Sequence, residues 1–296
     1  MIRLFSTRCL LAALPLLAAC SDSANSPQTG SEAAAPTAAE QLLARHFDEG
    51  WAQTRLWDDG LAEVATYEAE RVIYGKPRAF EHTIITVKED FNKAFDVKTD
   101  YYQRPDLFAV MKVNQFSRIP TDNYPYHFLT SLFFRREAPF RLHKLTTSSQ
   151  EWCGNTFKAI GAVENGYQLR FNSYWDGQGE GRHELPAAVL FEDALPYTLR
   201  SLKFNDEDSI TVPVVELQQT SKAARPVVYQ ARISRRLGAP GEGGRRNREV
   251  TVELAPGKVN RYVFGADYPH LLEQQQTWDG RRLRLKAVRR YAYWQH

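Results

Sequence analysis

Apolar and polar residues change their spacing several times along the chain, and each change marks an element. Leu42, Leu43, Phe47 and Trp51 recur close to a 3.6-residue period and predict one amphipathic helix over 38–55, ended by the turn signal Asp58-Asp59-Gly60. From Ala62 the period becomes two. Alternation over 62–73 and again over 80–87, around Gly75-Lys76-Pro77, predicts a hairpin. Further strands follow at 107–116, 126–135, 140–147, 156–163, 167–175, 210–219, 227–235, 250–254, 259–264, 270–277 and 282–294. Asn165-Gly166 and Asp279-Gly280 supply tight turns. Between them, 186–204 breaks the rhythm. There Val189, Leu190, Leu195, Leu199 and Leu202 predict a helix started or bent at Pro196. The Gly- and Arg-rich stretch 235–248 reads as a mobile loop. The pattern predicts a mainly β, β-rich α+β fold: a curved antiparallel sheet or open barrel around one central helix, with an N-terminal helix, in a single domain over 40–296.

Ahead of that domain, Arg3 and Arg8 precede an apolar run from Cys9 to Ala19 and then Leu17-Ala18-Ala19-Cys20. A basic n-region, an apolar h-region and small residues at a cleavage point make residues 1–19 an export signal. The run is about half of the ~20 residues a membrane span needs. Leu17-Ala18-Ala19-Cys20 resembles the bacterial lipobox, and the resemblance implies diacylglycerol on Cys20 with cleavage before it. Two or more acyl chains hold a protein where one would not. Residues 20–39, rich in Ser, Ala, Pro and Thr, read as a flexible tether. Ser21 resembles the residue that sorts such proteins to the outer membrane, so the expected location is its periplasmic face.

Composition narrows the function classes. Once Arg3 and Arg8 leave with the signal, 36 basic residues (38 less two) face 35 acidic ones, a balance that argues against a nucleic-acid partner. Of three cysteines, Cys9 leaves, Cys20 carries lipid and Cys153 stands alone where oxidised pairs are usual, so the fold does not depend on disulfides.

Chemistry is sparse. Gln150-Glu151-Trp152-Cys153-Gly154 admits a Cys153-dependent hydrolase or acyltransferase, but Gln150 lies too close and Trp152 on the wrong side for a papain-like nucleophile. Cys153 therefore reads as a small buried hydrophobe. His82, His127, His143, His183 and His270 show no metal spacing, so no metal and no cofactor is expected. Arg245-Arg246-Asn247-Arg248 reads as a solvated loop. Leu132-Phe133-Phe134 interrupts the alternation of its strand. Tyr126, Phe133 and Phe134 are accordingly expected to line an apolar groove, or a patch larger than the ~300–600 Å² usual on a monomer.

Thr147-Ser148-Ser149-Gln150-Glu151-Trp152-Cys153-Gly154, Tyr124-Pro125-Tyr126 and the closing Tyr291-Ala292-Tyr293-Trp294 resemble an uncharacterised family of bacterial lipoproteins. Members have been labelled septum formation inhibitor, a cytoplasmic nucleotide pyrophosphatase whose Ser-Pro-Arg-Arg loop is missing here. The resemblance implies no reaction. The expected function is a non-enzymatic, outer-membrane-anchored lipoprotein whose partners are membrane lipid, through Cys20, and an apolar ligand or envelope protein. The anchor is open to test: Cys20→Ser should abolish acyl labelling and mis-sort the protein, and undiminished outer-membrane fractionation of that variant would refute it.

Overall fold

The computed structural model describes residues 38–204, 209–240 and 244–295. Cys20 and the export signal lie outside them. Helix α1 (Ala38–His46) and two 3-10 turns (Trp51–Gln53, Arg55–Asp58) lead into β1 (Ala62–Ile73) and β2 (Lys76–Asn92). A short β3 (Val97–Lys98) precedes β4 (Leu107–Ile119), β5 (Tyr126–Arg135), β6 (Leu142–Glu151), β7 (Gly154–Val163), β8 (Gly166–Ser173) and β9 (Glu180–Leu185). After β10 (Leu190–Phe191) come a 3-10 turn, α2 (Leu195–Thr198) and another 3-10 turn. The chain closes with β11 (Ser209–Val215), β12 (Val228–Pro240), β13 (Arg246–Ala255), β14 (Lys258–Phe264), β15 (Leu272–Gln276) and β16 (Arg282–Tyr291).

Among the described residues sixteen strands join one open sheet, with 58 % in strand against 9 % in helix, so the fold is mainly β. The order runs from β10 through β16, then β1, β2 and β4 to β9, with β3 beside β2. The first and last strands of the chain are thus neighbours, Ala62 opposite Tyr291. The two edge strands, β9 and β10, are consecutive in sequence and joined only by 186–189. The strands have two ends. The near end gathers α1, the start of β1, the β5–β6 turn and the close of β16. The far end gathers the β1–β2, β6–β7 and β15–β16 turns and the β4–β5 loop.

Strict alternation fills one face. In β5, Tyr126, Phe128, Thr130, Leu132 and Phe134 are buried and their neighbours are not. The expected break at Leu132-Phe133-Phe134 is absent. Phe133 points outward onto Phe91, with ring centroids 4.8 Å apart, because adjacent strand residues take opposite faces. Leu43, Phe47, Trp51 and the inward strand residues share one core with the segment 189–202, every residue of which is buried. Only Leu195–Thr198 of the helix expected there is α-helical. Pro196 lacks a donor and is accommodated in the first turn, where helix amides have no intrahelical partner, so the α-helix starts there.

Strands far apart in the order hold this segment. Gln115 on β4 donates to the Asp193 carbonyl at 2.7 Å, and Asn260 on β14 donates to Glu192 at 3.2 Å. Phe134 on β5 stacks on Tyr197 at 4.4 Å. Arg200 makes a fork with Glu63 on β1, at 2.8 and 3.0 Å, with both side chains under 7 % exposed. Arg248 on β13 donates to the Leu202 carbonyl at 2.9 Å.

Three local expectations are corrected. α1 stops at His46, where Asp48 caps the Gly50 amide and Phe47 forms a bridge with Leu202. The stretch expected as the loop 235–248 is mostly paired strand, with Arg236 opposite Glu249 and Leu237 opposite Arg248. The Asn165-Gly166 turn is shifted by one residue: Val163 pairs Gly166, so Glu164-Asn165 turns, and a Cβ on Gly166 would lie 2.3 Å from the Leu185 carbonyl oxygen.

Several buried side-chain atoms are left without a hydrogen-bond partner, and one of them lies at the centre of the core. The Tyr197 hydroxyl has no partner although its ring is packed between Phe134 and Trp51. Stranding a buried hydroxyl costs about 1–3 kcal/mol. Tyr197→Phe should therefore melt at an equal or higher temperature, whereas Arg200→Met, which strands Glu63, should lose roughly 3–5 kcal/mol in denaturant titration.

Candidate functional site

Turns at the far end carry aromatics, of which Tyr74, Trp152 and Tyr174 are exposed and Tyr124 is half-buried. The β1–β2 turn is Tyr74-Gly75, with φ of 53° and 71°, which places both residues in the left-handed region a type I′ turn requires. That strained turn points Tyr74 outward, 66 % exposed. Its hydroxyl meets Tyr124 from the β4–β5 loop at 3.2 Å and also bonds Tyr126. Tyr124 in turn stacks on Trp152, centroids 5.8 Å apart and planes 18° from parallel. Trp152 and Cys153 form the two-residue β6–β7 turn, and Trp152 is 79 % exposed. Tyr174 covers the backbone of Gly154, where a Cβ would lie 2.4 Å from its ring. These rings form a rim fixed by hydrogen bonds and stacking rather than by burial.

Cys153 is exposed at this hairpin tip, not buried as expected. The pairing of Glu151 with Gly154 leaves it no inward position. Its Sγ lies 3.2 Å from the Tyr124 hydroxyl. That bond, then the one to Tyr74, pushes the Tyr124 phenol up. No hydrogen bond or ion pair links Cys153 to a histidine among the described residues, so the acid–base partner a thiol nucleophile needs is not in place.

Beneath the rim, Tyr126, Phe128 and Ile119 form a small cluster with Phe80, Ile73 and Tyr124. The Arg71 guanidinium lies over Phe128, 4.7 Å from its centroid, and donates to the Gln219 carbonyl at 2.9 Å. It makes no ion pair among the described residues, and burial lowers its pKa to about 10. Below it lies a cavity of about 30 Å³, lined by Arg71, His82, Gln115, Ser117, Gln275 and Arg281 among others. The Gln275 Oε1 is buried there without a partner. Such a volume admits a water or two and no lipid chain.

Charge is dense around this cavity. Arg281 bridges Glu192 at 2.7 Å and Asp279 at 2.9 Å. Burial pushes the Glu192 and Asp193 carboxyls up. Arg281 and Asn260 oppose this at Glu192, and the backbone amides of Gln218 and Gln219 oppose it at Asp193. Lys158 donates to the Gln218 carbonyl at 2.8 Å and to Thr220 at 2.9 Å, and burial lowers its pKa to about 8. The His82 Nδ1 lies 2.7 Å from the Ser117 Oγ, an apparent nucleophile–base pair. Burial, then Arg281 and Arg71, lowers the His82 pKa to about 3. Burial, with two guanidiniums nearby, disfavours an imidazolium here and keeps His82 neutral near neutral pH. The groups around the cavity form a buried polar network, a polar lock on the segment 189–202.

The residues proposed for a groove are not brought together. Tyr126 lies under the rim, Phe134 lies in the core on Tyr197, and Phe133 is on the outer face. Tyr291, Tyr293 and Trp294 are at the near end. Spacing alone does not single out Arg71, Gln115 or Ser117, and His82 enters only among the scattered histidines, although they fall in phase with buried apolar neighbours: Tyr67, Ala69 and Arg71 on β1, Val113, Gln115 and Ser117 on β4.

The lock has a pH signature. The folded state refuses His82 a proton that the unfolded chain accepts below about pH 6.5, so its contribution is complete above 6.5 and is lost as the pH falls toward 3. Glu192 and Asp193 act in the opposite sense. His82→Gln should therefore flatten the fall in melting temperature between pH 6.5 and 4.5 relative to wild type, and parallel curves for the two proteins would refute the assignment.

No family model, curated protein or solved structure matches the chain.

Proposed function

We propose that this is a non-enzymatic envelope lipoprotein, held through Cys20 at the periplasmic face of the outer membrane, that captures its ligand or partner on the far-end rim. Trp152 carries this reading. A ring 79 % exposed, stacked on Tyr124 and locked through Tyr74, is ordered at a cost in hydration that nothing inside the fold repays. Tyr and Trp held rigid are the residues that anchor partners, because little entropy remains to be lost on binding.

The reading includes the shape of the sheet. Fifteen strands in order, about 4.8 Å apart, would separate the edges of a flat sheet by about 67 Å. The residues 186–189 let Leu185 and Leu190 stand at most about 18 Å apart. Edges so tied support a wound sheet with 189–202 at its centre, and the bonds from β1, β4, β13 and β14 to that segment fit the same geometry. The outer face favours water. Arg282, Arg284 and Lys286 on β16 pair with Glu70, Glu68 and Glu81, a row that the lipid-facing side of a membrane barrel would not carry.

An interior lipid carrier is not favoured. The cavity of about 30 Å³ is polar, and the rings expected to line a groove are packed in the core or on the outer face. Native mass spectrometry of the protein drawn from its own envelope tests the rim. Wild type should carry an adduct that Trp152→Ala with Tyr124→Ala loses at unchanged melting temperature. An adduct that survives both substitutions would refute the rim reading.

A further inference from the structure

Aromatics are exposed at the near end as well, and there the chain itself indicates their partner. Residues 93–105 project Phe95, Tyr101 and Tyr102, which are 72 %, 68 % and 66 % exposed. This loop is held firmly. Asn92 bonds the Phe95 amide at 2.9 Å and the Val97 carbonyl at 3.0 Å, and Arg104 and Asp106 pair at 2.8 Å. Asp96 sits at a φ of 53° with its carboxylate 2.5 Å from the His143 Nε2 and its carbonyl 2.8 Å from the Lys144 Nζ. A non-glycine residue kept in the left-handed region costs free energy. Here that conformation serves a loop whose apolar side chains face water.

Tyr102 and Lys98 line one cleft with Tyr293 and Trp294 from the close of the chain; Asp58, Glu89 and Asp90 line it too, and Lys98 pairs with Asp100 at 3.7 Å. Lys93 is exposed beside them. Exposed Tyr and Trp rings gathered at one end are the side chains that settle at a bilayer headgroup region, with the rings in the interface.

We infer that the near end docks on the phospholipid surface. This rests on the Cys20 anchor, and chain length selects the end. Gln41, Ala44 and Arg45 of α1 line a cleft with Glu137, Ala138 and Arg141 of the β5–β6 turn, so the described chain begins at the near end. Seventeen residues separate Cys20 from Ala38 (positions 21–37). A flexible chain of that length spans about 20–25 Å. β4, thirteen residues long, is about 44 Å from end to end. The tether therefore delivers Phe95, Tyr101, Tyr102 and Trp294 to the headgroups and leaves Trp152 directed into the periplasm.

Acylated protein in vesicles of phosphatidylethanolamine and phosphatidylglycerol tests this. In a Cys153→Ser background, an environment-sensitive dye is placed through Tyr101→Cys or through Trp152→Cys. On reconstitution the dye at 101 should shift to the blue and lose intensity with brominated acyl chains, while the dye at 152 should do neither. Tyr102→Ser with Trp294→Ser should remove the response at 101 while leaving the melting temperature unchanged. A response at 152 alone, or at neither position, overturns the inference. Absence of acyl chains on wild-type Cys20 would instead refute the anchor; unacylated protein added to the same vesicles then decides docking, a response at 101 supporting it and silence overturning it.

Discussion

The fold depends on placing charge inside it. Arg200 with Glu63 and Arg281 with Glu192 and Asp279 tie the buried segment 189–202 to β1 and to the β15–β16 turn, which adjoin one another in the sheet. Buried pairs contribute little net stability, because desolvation consumes most of the attraction. Their effect is on register. A shift of one residue in β1 would turn Glu63 outward and strand Arg200 in the core, a cost of several kcal/mol. An apolar interior lined by Ala65, Tyr67 and Ala69 alone would tolerate such a shift far better. The ion pairs therefore select one pairing among many in a sheet whose sixteen strands are mostly simple antiparallel neighbours.

That commitment also limits function. Gln115, Gln218, Gln219, Asp193, Lys158 and Thr130 satisfy one another around the cavity, so a guest would have to replace several hydrogen bonds at once. A carrier interior needs apolar walls and little internal bonding. Binding is better placed at the strand ends, where turns and loops present side chains without breaking ladder bonds. Under the proposed anchor the two aromatic ends divide the work: one lies on lipid, the other faces away from it.

Strands were legible because alternation is a local signal. Ala62–Ile73 and Tyr126–Arg135 follow directly from period two, and their boundaries agree with the pattern. Sheet order was not legible, since the pairing of β1 with β16 joins residues more than two hundred positions apart and leaves no trace in spacing. The segment 186–204 read as one helix because full burial makes every face apolar, and periodicity then cannot tell a ten-residue 3-10/α/3-10 run from a continuous helix. The polar lock was visible in part. Arg71 and His82 stand where apolar residues belong, but only the fold brings them to the same cavity.

Aromatic composition was the least informative signal. Phe133 and Phe134 are adjacent and chemically identical, yet one rests on the outer face against Phe91 and the other stacks on Tyr197 in the core. Phase within the strand decides that difference. For residues in turns there is no phase, and their exposure depends on what neighbouring hairpins supply. Trp152 stays upright because Tyr124 lies alongside it, and Tyr124 is held because Tyr74 occupies a left-handed turn beside Gly75. The rim is thus an assembly of three turns, none of which would fix an exposed ring alone. Rings in mid-strand are divided between the core and the outer face, where Phe116 and Phe157 are 47 % and 45 % exposed, so the sum of aromatic residues along one strand does not define one groove.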